Sequence, residues 1–265
     1  MSQVLGLPAG LYLANRWNWH APFWSIVVLG AVGGLVIAWG LRPVTAHLAL
    51  RQEHRAITHL LRTVAEPRYI TAFAATALLT LGGYLMMPFL SAFTVRNLGI
   101  DLESLPIIYL VTGLCTIVAG PLIGRIADKV GRLRVFLVGC GISIIMVLTY
   151  THLPPVPLPV VITVNVVMFV GIFSRLIPLQ ALISSVPELT KRGSFNAVNS
   201  AIQQTAGGVA SVIAGHIVSV GADGRLMHFD RVGYVVICST LVSAVLVWRI
   251  QQSLRKRLQP AAAVS

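Results

Sequence analysis

The chain has 265 residues, of which 56% are hydrophobic and 11% charged, with a mean hydropathy of +0.82. A water-soluble domain carries about a quarter charged residues, so the composition excludes a soluble globular core and gives an all-α polytopic membrane protein. The net charge of +12 does not make it a nucleic-acid binder, because the basic residues fall between apolar runs instead of sharing one face with interleaved aromatic residues.

Residues 3–14 form a short apolar piece with Gly6, Pro8 and Gly10, below the ~20 residues that cross a bilayer. It has no basic region ahead of it, so it does not read as a signal peptide. The turn from Asn15 to His20 carries Trp17 and Trp19, which suit an interfacial position. Phe23 to Leu41 is the first clear span. The stretch 42–68 holds Arg42, Arg51, Arg55, Arg62 and Arg68 against Glu53 and Glu66 and reads as a linker. Within it, the spacing of Leu48, Leu50, Ile57, Leu60 and Leu61 predicts a surface-lying amphipathic helix between Ala46 and Val64. Six further spans follow, at 70–93, 105–124, 133–151, 156–182, 195–219 and 233–250. The chain thus divides into 1–41, the linker 42–68, a six-helix unit over 69–258 and a tail, 259–265.

Of the 20 Lys and Arg residues, only Arg16, Arg96, Arg225 and Arg231 fall on one side of these spans, and only Arg175 falls inside one. The remainder lie on the other side, which the positive-inside rule makes cytoplasmic. The C-terminus is then cytoplasmic and the protein a multi-pass component of the cell membrane, in contact with its lipid.

The spans differ in polarity. Those at 23–41, 133–151 and 233–250 are almost purely apolar and are expected to face lipid all round. Span 70–93 carries Thr71, Thr76, Thr80 and Tyr84, and span 156–182 carries Asn165, Ser174, Arg175 and Gln180. Span 195–219 is the most polar, with Asn199, Gln203, Gly207, Ser211 and Gly215 at steps of four. Such a stripe packs against another helix or lines a cavity. Cys115, Cys140 and Cys238 each sit inside an apolar run and read as small buried hydrophobes, not metal ligands. With no His-x-x-x-His, cysteine cluster or paired carboxylates, neither a metal, a cofactor nor an enzymatic activity is expected.

Between spans 105–124 and 133–151 lies Gly120-Pro121-Leu122-Ile123-Gly124-Arg125-Ile126-Ala127-Asp128-Lys129-Val130-Gly131-Arg132-Leu133-Arg134. This stretch resembles the loop signature of the major facilitator superfamily of transporters, in the copy between its eighth and ninth helices. The basic stretch 42–68 is similar to that family's central linker. Gly6-Leu7-Pro8-Ala9-Gly10, with Trp17-Asn18-Trp19 and Phe23, is similar to the end of the fifth helix and start of the sixth in its drug and sugar efflux branch. The resemblance covers nearly the whole chain. It implies a C-terminal six-helix half plus about two helices of an N-terminal half, so an N-terminally truncated chain is expected, with the missing half as a partner.

The resemblance implies secondary active transport of a small-molecule substrate, coupled to protons, by alternating access. It puts the seventh and tenth helices on the central cavity, with Arg175, Asn165, Thr80, Tyr84 and Gln203 as candidate substrate contacts. It makes Gly124, Asp128, Lys129, Gly131 and Arg132 a gating element, with Asp128 paired to the loop arginines and capping a neighbouring helix. Each has a plainer alternative. Arg175 either binds substrate or extends to the cytoplasmic interface. The asparagines and glutamines either line a path or join helices, and His216 either takes protons or is an exposed interfacial histidine. No Asp or Glu lies well inside a span, so the coupling acid falls in the absent half or another group serves. The alternative to a transporter, whether active or inactive as a fragment, is a non-transporting membrane scaffold or partner subunit that keeps half the fold.

Overall fold

A computed structural model describes residues 6–40, 63–188 and 191–262. The helices are α1 (Leu7–Arg16), α2 (Ala21–Gly40), α3 (Pro67–Arg96), α4 (Leu105–Val130), α5 (Arg132–Thr151), α6 (Leu158–Ile183), α7 (Arg192–Ile217) and α8 (Phe229–Ala262). A proline in the first turn opens α1, α3, α4 and α6, where its missing N–H costs nothing. Asn18 starts α2, its Oδ1 accepting from the backbone N–H groups of His20 at 3.0 Å and Ala21 at 3.2 Å. The amphipathic helix expected over Ala46–Val64 lies almost wholly outside the described residues.

Among the described residues, six helices are long and apolar enough to cross a membrane: α2, α3, α4, α5, α6 and the Phe229–Leu254 part of α8. The expected span 195–219 is the helix α7, but its polar stripe keeps it below that level of hydropathy. The apolar composition of α2, α5 and α8 would allow each to face lipid all round. Only α2 behaves so, with none of its residues buried. By contrast α5 buries Phe136, Cys140, Ser143, Val147 and Tyr150, and α8 packs along α3 and α5. The small residues Gly139 and Ser143 on α5, and Ser239, Thr240 and Ser243 on α8, mark the buried faces that an average hydropathy conceals.

The six helices from α3 to α8 interlock as two triplets. The first helix of each triplet packs chiefly on the second and third of the other: α3 lies against α7 and α8, and α6 against α4 and α5. Contact between α5 and α8 joins them, and α1 packs on α4. Antiparallel succession gathers Arg68, Arg125, Arg132 and Arg249 at one end, the basic end.

At the opposite end a two-stranded hairpin, β1 (Ser219–Val220) and β2 (Leu226–Met227), lies before α8. Asn97, at the C-terminus of α3, serves it as a third partner. Its Nδ2 donates to the Leu226 carbonyl at 3.0 Å, and its Oδ1 accepts from the Leu226 N–H at 2.9 Å.

Two apolar clusters fill the bundle. One, toward the hairpin end, includes Leu85, Phe93, Ile108, Tyr150, Met168 and Phe229. The other, toward the basic end, includes Tyr69, Phe73, Phe136, Leu179, Phe195 and Val247. The residues between them are polar or small.

Candidate functional site

That middle layer is made of Thr76 and Thr80 on α3, Ser143 on α5, Ser174 and Arg175 on α6, Asn199 and Gln203 on α7, and Ser239, Thr240 and Ser243 on α8. Within it, Thr76 Oγ1, Ser143 Oγ, Arg175 Nε and Asn199 Oδ1 are buried without a hydrogen-bond partner. Buried polar atoms in folded proteins are ordinarily paired, so four orphans in one layer single it out. Thr76 differs in this from Thr94, Thr112, Thr151 and Thr240, whose hydroxyls donate to the carbonyl one turn back.

The helices α3 and α7 run parallel through the layer. Phe73 stacks on Phe195 at a centroid distance of 5.0 Å. Further along, the Tyr84 ring covers Gly207, where a Cβ would stand 3.0 Å from Tyr84 Cδ1. These fixed points lie eleven residues apart on α3 and twelve on α7, roughly 17 Å at 1.5 Å per residue. Between them Thr76 and Thr80 run level with Asn199 and Gln203. Tyr84 remains 46% exposed, and Thr80 and Gln203 are half-buried. The result is a wall of uncharged hydroxyl and amide groups on two adjoining helices. Along the α3–α7 junction, Ala77 of α3 and Ala197, Ala201, Thr205 and Val209 of α7 line an apolar groove of about 560 Å³, which offers a ligand no polar anchor beyond the Thr205 hydroxyl.

Arg175 is 3% exposed. Its guanidinium does not extend to the interface, one of the two courses open to it in the sequence. It points to α8, where Nη1 donates to Thr240 Oγ1 at 2.8 Å, and it lies beside Cys140 of α5. Asn165 is 1% exposed, and its Nδ2 donates to the Val161 carbonyl at 3.3 Å. It sits in a separate cluster nearer the hairpin end, beside Tyr150, whose hydroxyl bonds to Thr94 at 2.6 Å. The five candidate contacts therefore fall in three places: Thr80, Tyr84 and Gln203 together, Arg175 between α5, α6 and α8, and Asn165 apart from both.

Close helix approach holds the layer in place. Where α5 crosses α6, a Cβ on Gly139 would stand 2.7 Å from Ser174 Cβ, and one on Gly171 would stand 2.9 Å from Ser143 Oγ. Each helix thus gives one glycine and one serine to a reciprocal contact of the small-residue type that lets membrane helices approach. The spacing Gly139-x-x-x-Ser143 was the available signal, passed over in a span read as purely apolar.

The motif at the basic end is mostly helix rather than loop. Gly124, Asp128 and Lys129 belong to the last turns of α4, Arg132 opens α5, and Gly131 alone separates the two helices. Gly131 has φ 110° and ψ 131°, a conformation open essentially to glycine. Asp128 Oδ1 lies 3.6 Å from Arg132 Nη2. Arg132 Nη1 donates at 3.0 Å to the carbonyl of Ala181 in the last turn of α6, where Ser184 and Ser185 hydroxyls also donate. The expected capping of a neighbouring helix is therefore performed by Arg132, at a helix C-terminus, where a cation meets the negative end of the helix dipole.

An interlocked bundle of long apolar helices with a buried polar layer and a basic helix–helix junction defines a class, the all-α polytopic membrane proteins. The family model for the Major Facilitator Superfamily matches residues 1–214 and, in a second match, residues 78–262. The chain belongs to that superfamily, and it is a membrane transporter.

Proposed function

We propose that the chain exports a small solute across the cytoplasmic membrane in exchange for protons, with its basic end and C-terminus inside the cell. Transport follows alternating access, with one helical half rocking against another about a site near mid-membrane. The observation that carries this reading is the wall of Thr76, Thr80, Tyr84, Asn199 and Gln203. Its unpaired buried oxygens accept hydrogen bonds that a hydroxyl- or amine-bearing solute can donate. Arg175, with no carboxylate beside it among the described residues, adds positive potential behind the wall. The distribution of Lys and Arg supports the orientation, and the likeness of residues 6–23 to the efflux branch supports export. The carboxylates of the described residues lie at helix ends or in the connections between elements, so in this reading the coupling proton is held outside these spans, on a further helical half that completes the cavity beside Tyr84 and Gln203.

The test is reconstitution in liposomes with an imposed pH gradient, following labelled solute and internal pH together. Solute accumulation should move with proton flux. Tyr84→Ala or Gln203→Ala should each lower solute affinity about tenfold, the worth of one lost buried hydrogen bond. No solute movement under any gradient when the chain is reconstituted together with the membrane protein it retains through purification would establish the scaffold alternative in place of transport.

A further inference from the structure

At the basic end, the start of α3, the Arg249–Leu254 stretch of α8 and Val186 after α6 line a small surface cavity of about 80 Å³, with Arg68, Arg249 and Ser253 exposed. Its polar side chains are Arg68 and Thr71, three apart on α3, and Arg249 and Ser253, four apart on α8; Ile250 and Leu254 supply apolar wall. Those spacings put each arginine and its hydroxyl partner on one helix face. The volume is well below the roughly 300 Å³ of a typical small-molecule site, and suits a single tetrahedral group.

The cavity's charge is one-sided. No carboxylate lines it. Arg249 has no ion-pair partner among the described residues. Arg68 makes only long, exposed contacts, to Glu66 at 3.9 Å and Glu188 at 3.8 Å. Two guanidiniums and two hydroxyls converging on a small space match the oxygens of a phosphate, which arginine engages through paired N–H groups. Depth identifies the source. Trp248, immediately before Arg249, is 47% exposed, and a half-exposed tryptophan at the end of a span marks the headgroup level of the bilayer. The next turn of α8 adds Arg255, Lys256 and Arg257 in sequence, which draws anionic lipid toward this end.

We infer that this cavity binds the phosphodiester of an anionic phospholipid, which ties α3 to α8 at the membrane surface. The site lies apart from the polar layer and does not depend on the direction or coupling of transport.

The chain in detergent is titrated with phosphatidylglycerol, phosphatidylcholine or inorganic phosphate, and retained adducts are counted by native mass spectrometry. Phosphatidylglycerol should be retained in preference to phosphatidylcholine. Arg68→Gln and Arg249→Gln should each weaken retention about fivefold, the worth of one basic residue near an anionic surface. Arg134→Gln, which removes an exposed charge at the same end outside the cavity, should leave retention unchanged. Glu188→Gln, which frees Arg68, should strengthen it. Circular dichroism and elution volume confirm that the variants fold. Equal retention of the two lipids, or equal weakening by Arg134→Gln, overturns the site. Displacement of the lipid by inorganic phosphate in proportion to its concentration overturns the lipid assignment in favour of a soluble anion. Transport assays are not used, so failure here leaves the transport reading untouched.

Discussion

Arg132 engages a carboxylate and a backbone carbonyl at once: Nη2 faces Asp128 Oδ1 at 3.6 Å across Gly131, and Nη1 donates to the Ala181 carbonyl of α6 at 3.0 Å. The ion pair orients the guanidinium, and the guanidinium ties the α4–α5 junction to the end of α6. Asp128 is largely exposed, so its charge contributes less than about 1 kcal/mol to stability. The expected effect of Asp128→Asn is kinetic. Turnover falls while solute affinity stays within about twofold, since a conformational link and not a binding contact is altered. Unchanged turnover with weakened affinity, in paired equilibrium-binding and flux measurements, would count against this.

Gly131 lies in a backbone region that disfavours every side chain, yet a Cβ there would meet no other atom within 4 Å. Gly131→Ala should therefore cost about 1–3 kcal/mol through backbone strain alone. It should lower the thermal unfolding midpoint in detergent, and Gly131→Asn should lower it as well, because asparagine's tolerance of the left-handed helical region does not extend to ψ near 131°. A neutral alanine would mean that the junction relaxes to an ordinary turn.

Gly139→Ala drives its methyl into Ser174, including the carbonyl carbon at 2.8 Å. Backbone cannot rotate away as a side chain can, so α5 and α6 must separate. The expected cost is about 1–3 kcal/mol of overpacking. Gly141→Ala, on the same helix with open space around it, is the control and should change the unfolding midpoint little.

Thr240→Val removes the hydrogen-bond partner of Arg175 Nη1 while Nε already has none. Deleting one partner of a buried charge is more damaging than replacing the charge by an apolar side chain. Thr240→Val should therefore destabilise the fold more than Arg175→Met does, whereas Arg175→Met should lower transport more. Thermal unfolding and liposome flux on both variants read the two orders independently, and reversal of either separates the structural role of Arg175 from its electrostatic one.

Span positions were legible because the bilayer demands long apolar runs, and α3 to α6 repeat those runs closely. The polar stripe of α7 was legible from steps of four, because the helix period converts spacing into a face. What the chain order conceals is which helices meet. Arg175 shows this best: burial was one of two courses its sequence position left open, and its partner Thr240, sixty-five residues away, could not be foreseen. Asn165 was grouped with Arg175 because they share a helix, although it joins the Tyr150 cluster instead. Asp128 and Arg132 were assigned to a loop because charge and glycine together resemble one. The helical hydrogen bond from Gly131 N–H to the Ala127 carbonyl at 3.0 Å carries α4 up to the glycine.

The interlocking of the two triplets has a consequence for biosynthesis. A ribosome delivers α3 before any of its principal partners, because α7 and α8 emerge last. Until then its hydroxyls face lipid, and its mean hydropathy of 1.6 is the lowest of the six candidate spans. The still more polar α7 enters a membrane where α3 already stands ready to receive its amides. Assembly is thus a wait by α3 for the end of the chain, and synthesis halted after α6 leaves a helix that the quality-control machinery of the membrane should recognise as unpaired.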